Sequence, residues 1–220
     1  MNMKRILLFS LILLGFASCK KKEIDPAEID FGYEYFPIKE GRYLHYLVDS
    51  IGHDITSDTS TYQIKEVTGE SFTDIAGHPA FEVKRYKRMT NADPWTLVAV
   101  WTQKRTPTTA ERVEDNVRFV RMVFPVNESA SWNGNAHNFL GEWTHTYSNI
   151  GAEVEVGPFT FENTVQVNQR NNVNLVDQEL AYEIYCADIG MIYKKFIDLN
   201  FQEDGMFGVE MEMRLIDFGD

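Results

Sequence analysis

The stretch FTFENTVQVNQ, residues 159–169, decides the fold. Phe159, Phe161, Val165 and Val167 alternate with Thr160, Glu162, Thr164, Gln166 and Asn168. A period of two puts the first set on one face of an extended chain and the second on the other, as in a strand with one buried side and one wet side. Asn163 interrupts the apolar row and needs a hydrogen-bond partner if it points inward.

The same period continues outward. Ile197, Leu199 and Phe201 share one face, Glu203-Asp204-Gly205 supplies turn chemistry, and Phe207, Val209, Met211, Met213 and Leu215 alternate with Glu210, Glu212 and Arg214. That pattern predicts a hairpin, because Gly accepts the positive φ of a tight turn. A second hairpin is expected across Thr90-Asn91-Ala92-Asp93-Pro94, joining a strand over 81–87 to one containing Leu97, Ala99 and Trp101. Residues 117–124 are apolar on both sides, which predicts a central strand. Shorter strands fit 43–49, 61–67, 111–114, 143–147 and 173–176. Residues 177–187 suggest a helix, with Leu180, Ile184 and Ala187 at spacings of four and three and Gly190 just beyond. A strand stays open there, given Tyr182, Ile184 and Tyr185. The expected fold is mainly β: one antiparallel, strongly curved sheet or partial barrel of about ten strands with one short helix, over residues 31–220.

A chain of 220 residues, 44% hydrophobic and 25% charged, can bury a core, which excludes general disorder and a disulfide-stapled miniprotein. With 33 acidic against 21 basic side chains the formal charge is −12, and no nucleic-acid partner is expected.

The N-terminus reads as an address. Lys4 and Arg5 precede an 11-residue apolar run, Ile6 to Phe16, followed by Ala17, Ser18, Cys19 and then Lys20-Lys21-Lys22-Glu23. The run falls short of the about 20 helical residues that cross a bilayer. Residues 1–19 resemble a bacterial lipoprotein signal ending in a lipobox, with Phe16 where Leu is usual. The resemblance implies a signal peptide over 1–18 and lipidation of Cys19, with outer-membrane delivery because Lys20 rather than Asp follows the cysteine. An ordinary secretory signal is the alternative. Residues 19–30 are charged, carry one proline and read as a lipidated tether with a reach of about 20 Å. Cleavage before Cys19 would leave 202 residues, 19 basic and 33 acidic, hence a charge of −14. Cys186 would then be the lone thiol and is expected to be buried and structural.

Tyr35-Phe36-Pro37-Ile38, with Gly41, Tyr43 and Tyr46 following, is similar to the opening of a group of Gram-negative lipoproteins without assigned activity, although Leu44 stands where that pattern has Trp. Tyr182, Tyr185 and Ile189-Gly190-Met191-Ile192-Tyr193 match their closing segment. Some such domains look like the half-barrel of periplasmic lipoprotein carriers, which implies a curved sheet around an apolar cavity.

Candidate sites are few. Trp132 with Asn133 and Asn135, around Gly134, offers an aromatic face and amides, the chemistry of a sugar platform. An Asn-Gly turn with Trp132 packed beside it is the structural alternative. Asp198, Asn200, Gln202 and Asp204 invite calcium, but an EF-hand would need Gly at its sixth position and Glu at its twelfth, where Val209 stands. His45, His53, His78, His137 and His145 show no zinc spacing, and no nucleophile elbow or phosphate loop is present. No cofactor, metal or catalytic residue is expected. The leading expectation is a non-enzymatic, outer-membrane-anchored lipoprotein that takes an apolar or lipid ligand in a cavity lined by Phe119, Phe159 and Phe161. A surface glycan- or protein-interaction module at Trp132 is the alternative. A hydrolase is the third class and predicts that two or more of His137, Glu142, His145 and Asp188 converge.

Overall fold

Among the described residues, twelve strands form one antiparallel sheet that is nearly closed into a barrel. The computed structural model describes residues 30–54, 57–203 and 205–220. The signal-like segment, Cys19, the tether up to residue 29 and Asp204 lie outside them. In chain order the strands are β1 (Tyr43–His53), β2 (Asp58–Thr73), β3 (Pro79–Arg88), β4 (Thr96–Arg105), β5 (Thr109–Glu114), β6 (Val117–Val123), β7 (Ser131–Asn133), β8 (Thr144–Val156), β9 (Phe159–Val173), β10 (Asp177–Cys186), β11 (Gly190–Gln202) and β12 (Gly205–Gly219). Their order across the sheet is β6-β5-β4-β3-β2-β1-β12-β11-β10-β9-β8-β7. Two meanders of six strands therefore meet at the β1–β12 ladder, where Tyr46 pairs with Leu215 and Val48 with Met213.

Both predicted hairpins are present, and so is the strand over 159–169. The expected helix over 177–187 is instead β10, paired on both edges. Its β-forming Tyr182, Ile184 and Tyr185 outweigh the helical spacing once two neighbours supply ladder bonds. The strand placed over 173–176 is a turn after the end of β9, where Asn174 Oδ1 accepts from the amides of Val176 and Asp177. The helical content among the described residues is a single 3₁₀ turn, Tyr33–Tyr35.

β6 is a terminal strand rather than a central one. Its free edge is nonetheless not left open, because side chains complete the wall between it and the segment holding β7 and β8. Trp132 Nε1 donates to Val120 O at 3.0 Å, and Asn138 Nδ2 donates to Arg118 O at 2.8 Å. Tyr147 OH donates to Val123 O at 2.7 Å and accepts from Val123 N at 2.9 Å. One backbone bond, Val120 N to Gly134 O, joins them. The backbone groups of a strand end that would otherwise face water are thus satisfied.

Residues 31–36 cross one end of the barrel and form its floor. Arg105 Nη1 donates to the carbonyls of Tyr33 and Phe36, Tyr33 OH to Pro107 O, and Tyr35 OH to Asn163 Oδ1 at 2.6 Å. Asn163 sits at φ 52° and so leaves the apolar row with its partner found. Tyr35, Phe36, Met122, Phe124, Ile192 and Leu215 are buried together there. The two ends of the lipoprotein-like pattern also meet at the floor. Tyr46 OH donates to Met191 O at 2.9 Å, and Gly190, at φ +103°, lies against Pro37 and Leu44.

Candidate functional site

Above this floor the lumen carries charge. Inward positions of strands normally hold apolar residues, but Glu66 on β2, Arg85 on β3, Arg112 and Glu114 on β5, Arg121 on β6, Glu183 on β10 and Lys194 on β11 all turn inward. They form one continuous run of alternating sign. Arg85 Nη1 meets Glu66 Oε1 at 2.7 Å, and Arg112 Nη2 meets Glu66 Oε2 at 2.5 Å. Arg112 Nε lies 3.6 Å from Glu114 Oε1, which Arg121 Nη2 reaches at 2.5 Å. Arg121 Nη1 and Lys194 Nζ then meet Glu183 Oε1 at 3.2 and 3.1 Å. Tyr185 OH donates to Glu183 Oε2 at 2.6 Å.

Burial works against the charged form of the Glu114 and Glu183 carboxyls. Desolvation pushes the Glu114 carboxyl up, but Arg121 and Arg112 outweigh it and bring the group down to about 2. Glu183 follows the same logic: burial raises it, and Arg121 and Lys194 carry it well below the carboxylate range. Arg112 and Arg121 are held protonated by their carboxylates against the opposing effect of burial. Glu66, Arg121 and Glu183 are buried and depend on their neighbours, while Arg85, Glu114 and Lys194 are half-buried.

Two cavities flank the run. The one toward the floor, about 50 Å³, is lined by Phe36, Tyr46, Glu66, Arg112 and Tyr185 and has room for water. The other, about 170 Å³, is lined by Arg85, Trp101, Arg121, Lys194, Met211 and Met213, among others. Its volume is comparable to an engineered cavity that takes one benzene, about 150 Å³, and lies below the range of drug-sized pockets. The expected apolar vault is therefore replaced by a small chamber with charged and thioether walls. Phe119, Phe159 and Phe161 do not line it. Phe159 and Phe161 pack on each other and on Phe218, and Arg121 lies 4.7 Å over the Phe119 ring.

Trp132, Asn133 and Asn135 sit in the wall beside the closure. Trp132 is half-buried, with its ring against Tyr147 and His145 and its nitrogen committed to Val120. Asn133 Oδ1 accepts from the amides of Asn135 and Trp143, while Asn135 is buried and its Oδ1 accepts from Asn138. These bonds are those of the turn alternative. Gly134 is required by close approach: a Cβ there would come within 2.1 Å of the His145 ring. His145 is buried and burial lowers its pKa to about 4, so it is neutral at pH 7.

No hydrogen bond or ion pair among the described residues joins any two of His137, Glu142, His145 and Asp188. Neither do the described residues bring three potential metal ligands together. Asn200 Nδ2 is bonded to Asp177 and Gln202 Nε2 to Asn200, while Asp198 pairs with Arg170. Cys186 is buried, and desolvation with the nearby Asp188 pushes its thiol up to about 11. Sequence reading missed the lumen run because charged residues in strands are ordinarily assigned to the wet face. The one available signal was Glu183 within the otherwise apolar AYEIYC.

An outer groove of about 520 Å³ crosses β8–β10, with Thr144, Thr146, Gln166, Asn168, Gln169 and Tyr182 on its walls. Gln169 is 6% exposed, and its Nε2 has no hydrogen-bond partner.

No family model matches the chain, and no curated protein matches it. Among solved structures it is similar to a protein inferred to be exported, with a YmcC-like fold, from Bacteroides fragilis. That likeness has TM-score 0.46 and 9% identity, and covers 84% of this chain and 98% of that one. It is also similar to an inferred lipoprotein from Parabacteroides distasonis, with TM-score 0.35 and 12% identity, covering 84% of this chain and 98% of that one. Likenesses this remote transfer no activity.

Proposed function

We propose that the chain is an exported lipoprotein, anchored in the outer membrane through Cys19, whose barrel is a non-enzymatic domain that holds a small ligand in its lumen. The observation that carries the reading is the 170 Å³ chamber above a packed floor, with charged groups aimed into it. A ligand-free barrel of this width would be filled by interdigitating apolar side chains, as the floor is. Two measurements test the proposal. Palmitate labelling is expected in the wild type and absent in Cys19→Ser; equal labelling overturns the anchor. Native mass spectrometry of protein purified without its lipid is expected to show a bound small molecule. A bare mass that added small organic probes also leave unchanged overturns the ligand reading.

The outer groove favours a second reading, a glycan-interaction module, and moves it away from Trp132. Hydroxyls and amides flank Tyr182 there. Chemical-shift mapping with neutral oligosaccharides is expected to perturb β8–β10. Shifts confined to the loop at 133–143, or none, remove this reading.

A further inference from the structure

The seven-member run in the lumen is open-ended, and both ends carry positive charge. Glu66, Arg112, Glu114, Arg121 and Glu183 each have two oppositely charged neighbours in the run, whereas Arg85 and Lys194 have one each within it. Four cations face three carboxylates, so the run holds one positive charge in excess inside a chain whose formal charge is −12. Arg85 and Lys194 line the same 170 Å³ chamber. Arg112 Nε, another donor of that lining, is buried without a hydrogen bond. The rest of the wall is Met191, Met211 and Met213, with Tyr185 and with Trp101, whose ring lies under the Arg85 and Arg112 guanidiniums at 4.4 and 5.0 Å.

We infer that the lumen ligand is a singly charged organic carboxylate with a short apolar body, its carboxylate bridging Arg85 and Lys194 and its body lying on the three methionines. This rests on the lumen reading above and names its ligand class. A carboxylate in that place closes the open run into a ring of alternating charges and cancels the excess. A dianion such as phosphate would leave a buried negative charge, and a cation would meet like charges on Arg85 and Lys194. A bare halide would satisfy the charge but leave the methionine wall facing an empty space, with its contacts unmade. The volume limits the body to about six carbons, by comparison with a benzene-sized cavity.

The test is calorimetric titration of the full chain with three probes of matched length: hexanoate, hexanol and hexylamine. Hexanoate is expected to bind about tenfold tighter than hexanol or better, with hexylamine weakest. Lys194→Met, in which Glu183 keeps Arg121 and Tyr185, is expected to reduce hexanoate to the level of hexanol and leave hexanol unchanged. Lys194→Arg is expected to retain most of the affinity, and Arg85→Gln supplies the same test from the other end if Lys194→Met fails to fold. Equal binding of hexanoate and hexanol overturns the carboxylate class and leaves the lumen reading standing. Hexanoate binding that survives both Lys194→Met and Arg85→Gln overturns the placement at the ends of the run. Binding by none of the probes overturns both the class and the lumen reading.

Discussion

The floor of the barrel and the charged storey above it are built from opposite materials. Around Tyr35, Phe36, Met122 and Leu215 apolar atoms fill the space, and their burial stabilises the fold at any pH. The storey above holds ionised groups whose mutual attraction is set against the cost of removing them from water. Packed apolar residues would hold the two halves of the wall together as well or better. The difference teaches where to seek function: the floor is explained by folding alone, while the storey has a charge excess and a chamber that folding does not require.

The largest effect is expected from Arg121→Met, which strips Glu114 and Glu183 of a shared cation. A loss of about 3–5 kcal/mol in urea unfolding at pH 7 is the expectation for breaking a buried network at one member. A loss under about 1 kcal/mol would mean that water already screens the storey, and the contrast with the floor would collapse. Next in size is Leu215→Ala in the floor, a fully buried site, at about 3 kcal/mol. This loss should be the same at pH 7 and pH 5, since no titrating group is removed.

The pH profile sharpens the same contrast. His145 titrates at about 4 in the folded protein against an ordinary 6.5, so the unfolded chain takes its proton first. Its contribution is complete above pH 6.5 and is lost as the pH falls through 4, about 3 kcal/mol in all. Glu114, at about 2 against an ordinary 4.5, adds a second loss between pH 4.5 and 2. Urea midpoints from pH 8 to 3 should therefore fall in two stages, and His145→Asn should remove most of the first, leaving the smaller part that burial of His45 contributes. A wild-type curve that is flat from pH 6.5 to 4 would contradict the burial of His145. The smallest effect belongs to Trp132→Phe, which keeps a ring beside Tyr147 but removes the bond to Val120 O. About 1 kcal/mol is expected. Amide exchange should quicken at Val120 and Val123 while the β1–β12 ladder stays unchanged.

What could be read in the sequence followed the rule that apolar residues face inward. β9, β11 and β12 obey it nearly throughout, and their period of two was plain. β10 does not: Glu183 points into the lumen and Tyr182 out to stack on Tyr193, so its apolar residues fell into helical spacing. β6 looked central, yet it ends the sheet, and its free edge is satisfied by Trp132 and Tyr147, bonds that the local pattern of residues 117–124 does not reveal. The members of the lumen run come from six strands, and only the registers bring them together. Bulges complicate this further, since the shifts at Ala110/Glu111 and Ile184/Tyr185 reset which parity faces inward.

The β1–β12 ladder has a consequence for how the molecule assembles. Every other strand pairing links sequence neighbours, so each meander can zip from its own hairpins. The central ladder instead joins residues near 46 to residues near 215, and its loop-closure entropy must be overcome before its contacts repay it. A chain delivered from its N-terminus presents β1 with one edge unpaired until β12 arrives. The first meander therefore waits as a half-sheet that already holds the run from Arg85 to Arg121, and docking of the second adds Glu183 and Lys194 and completes the floor and the chamber.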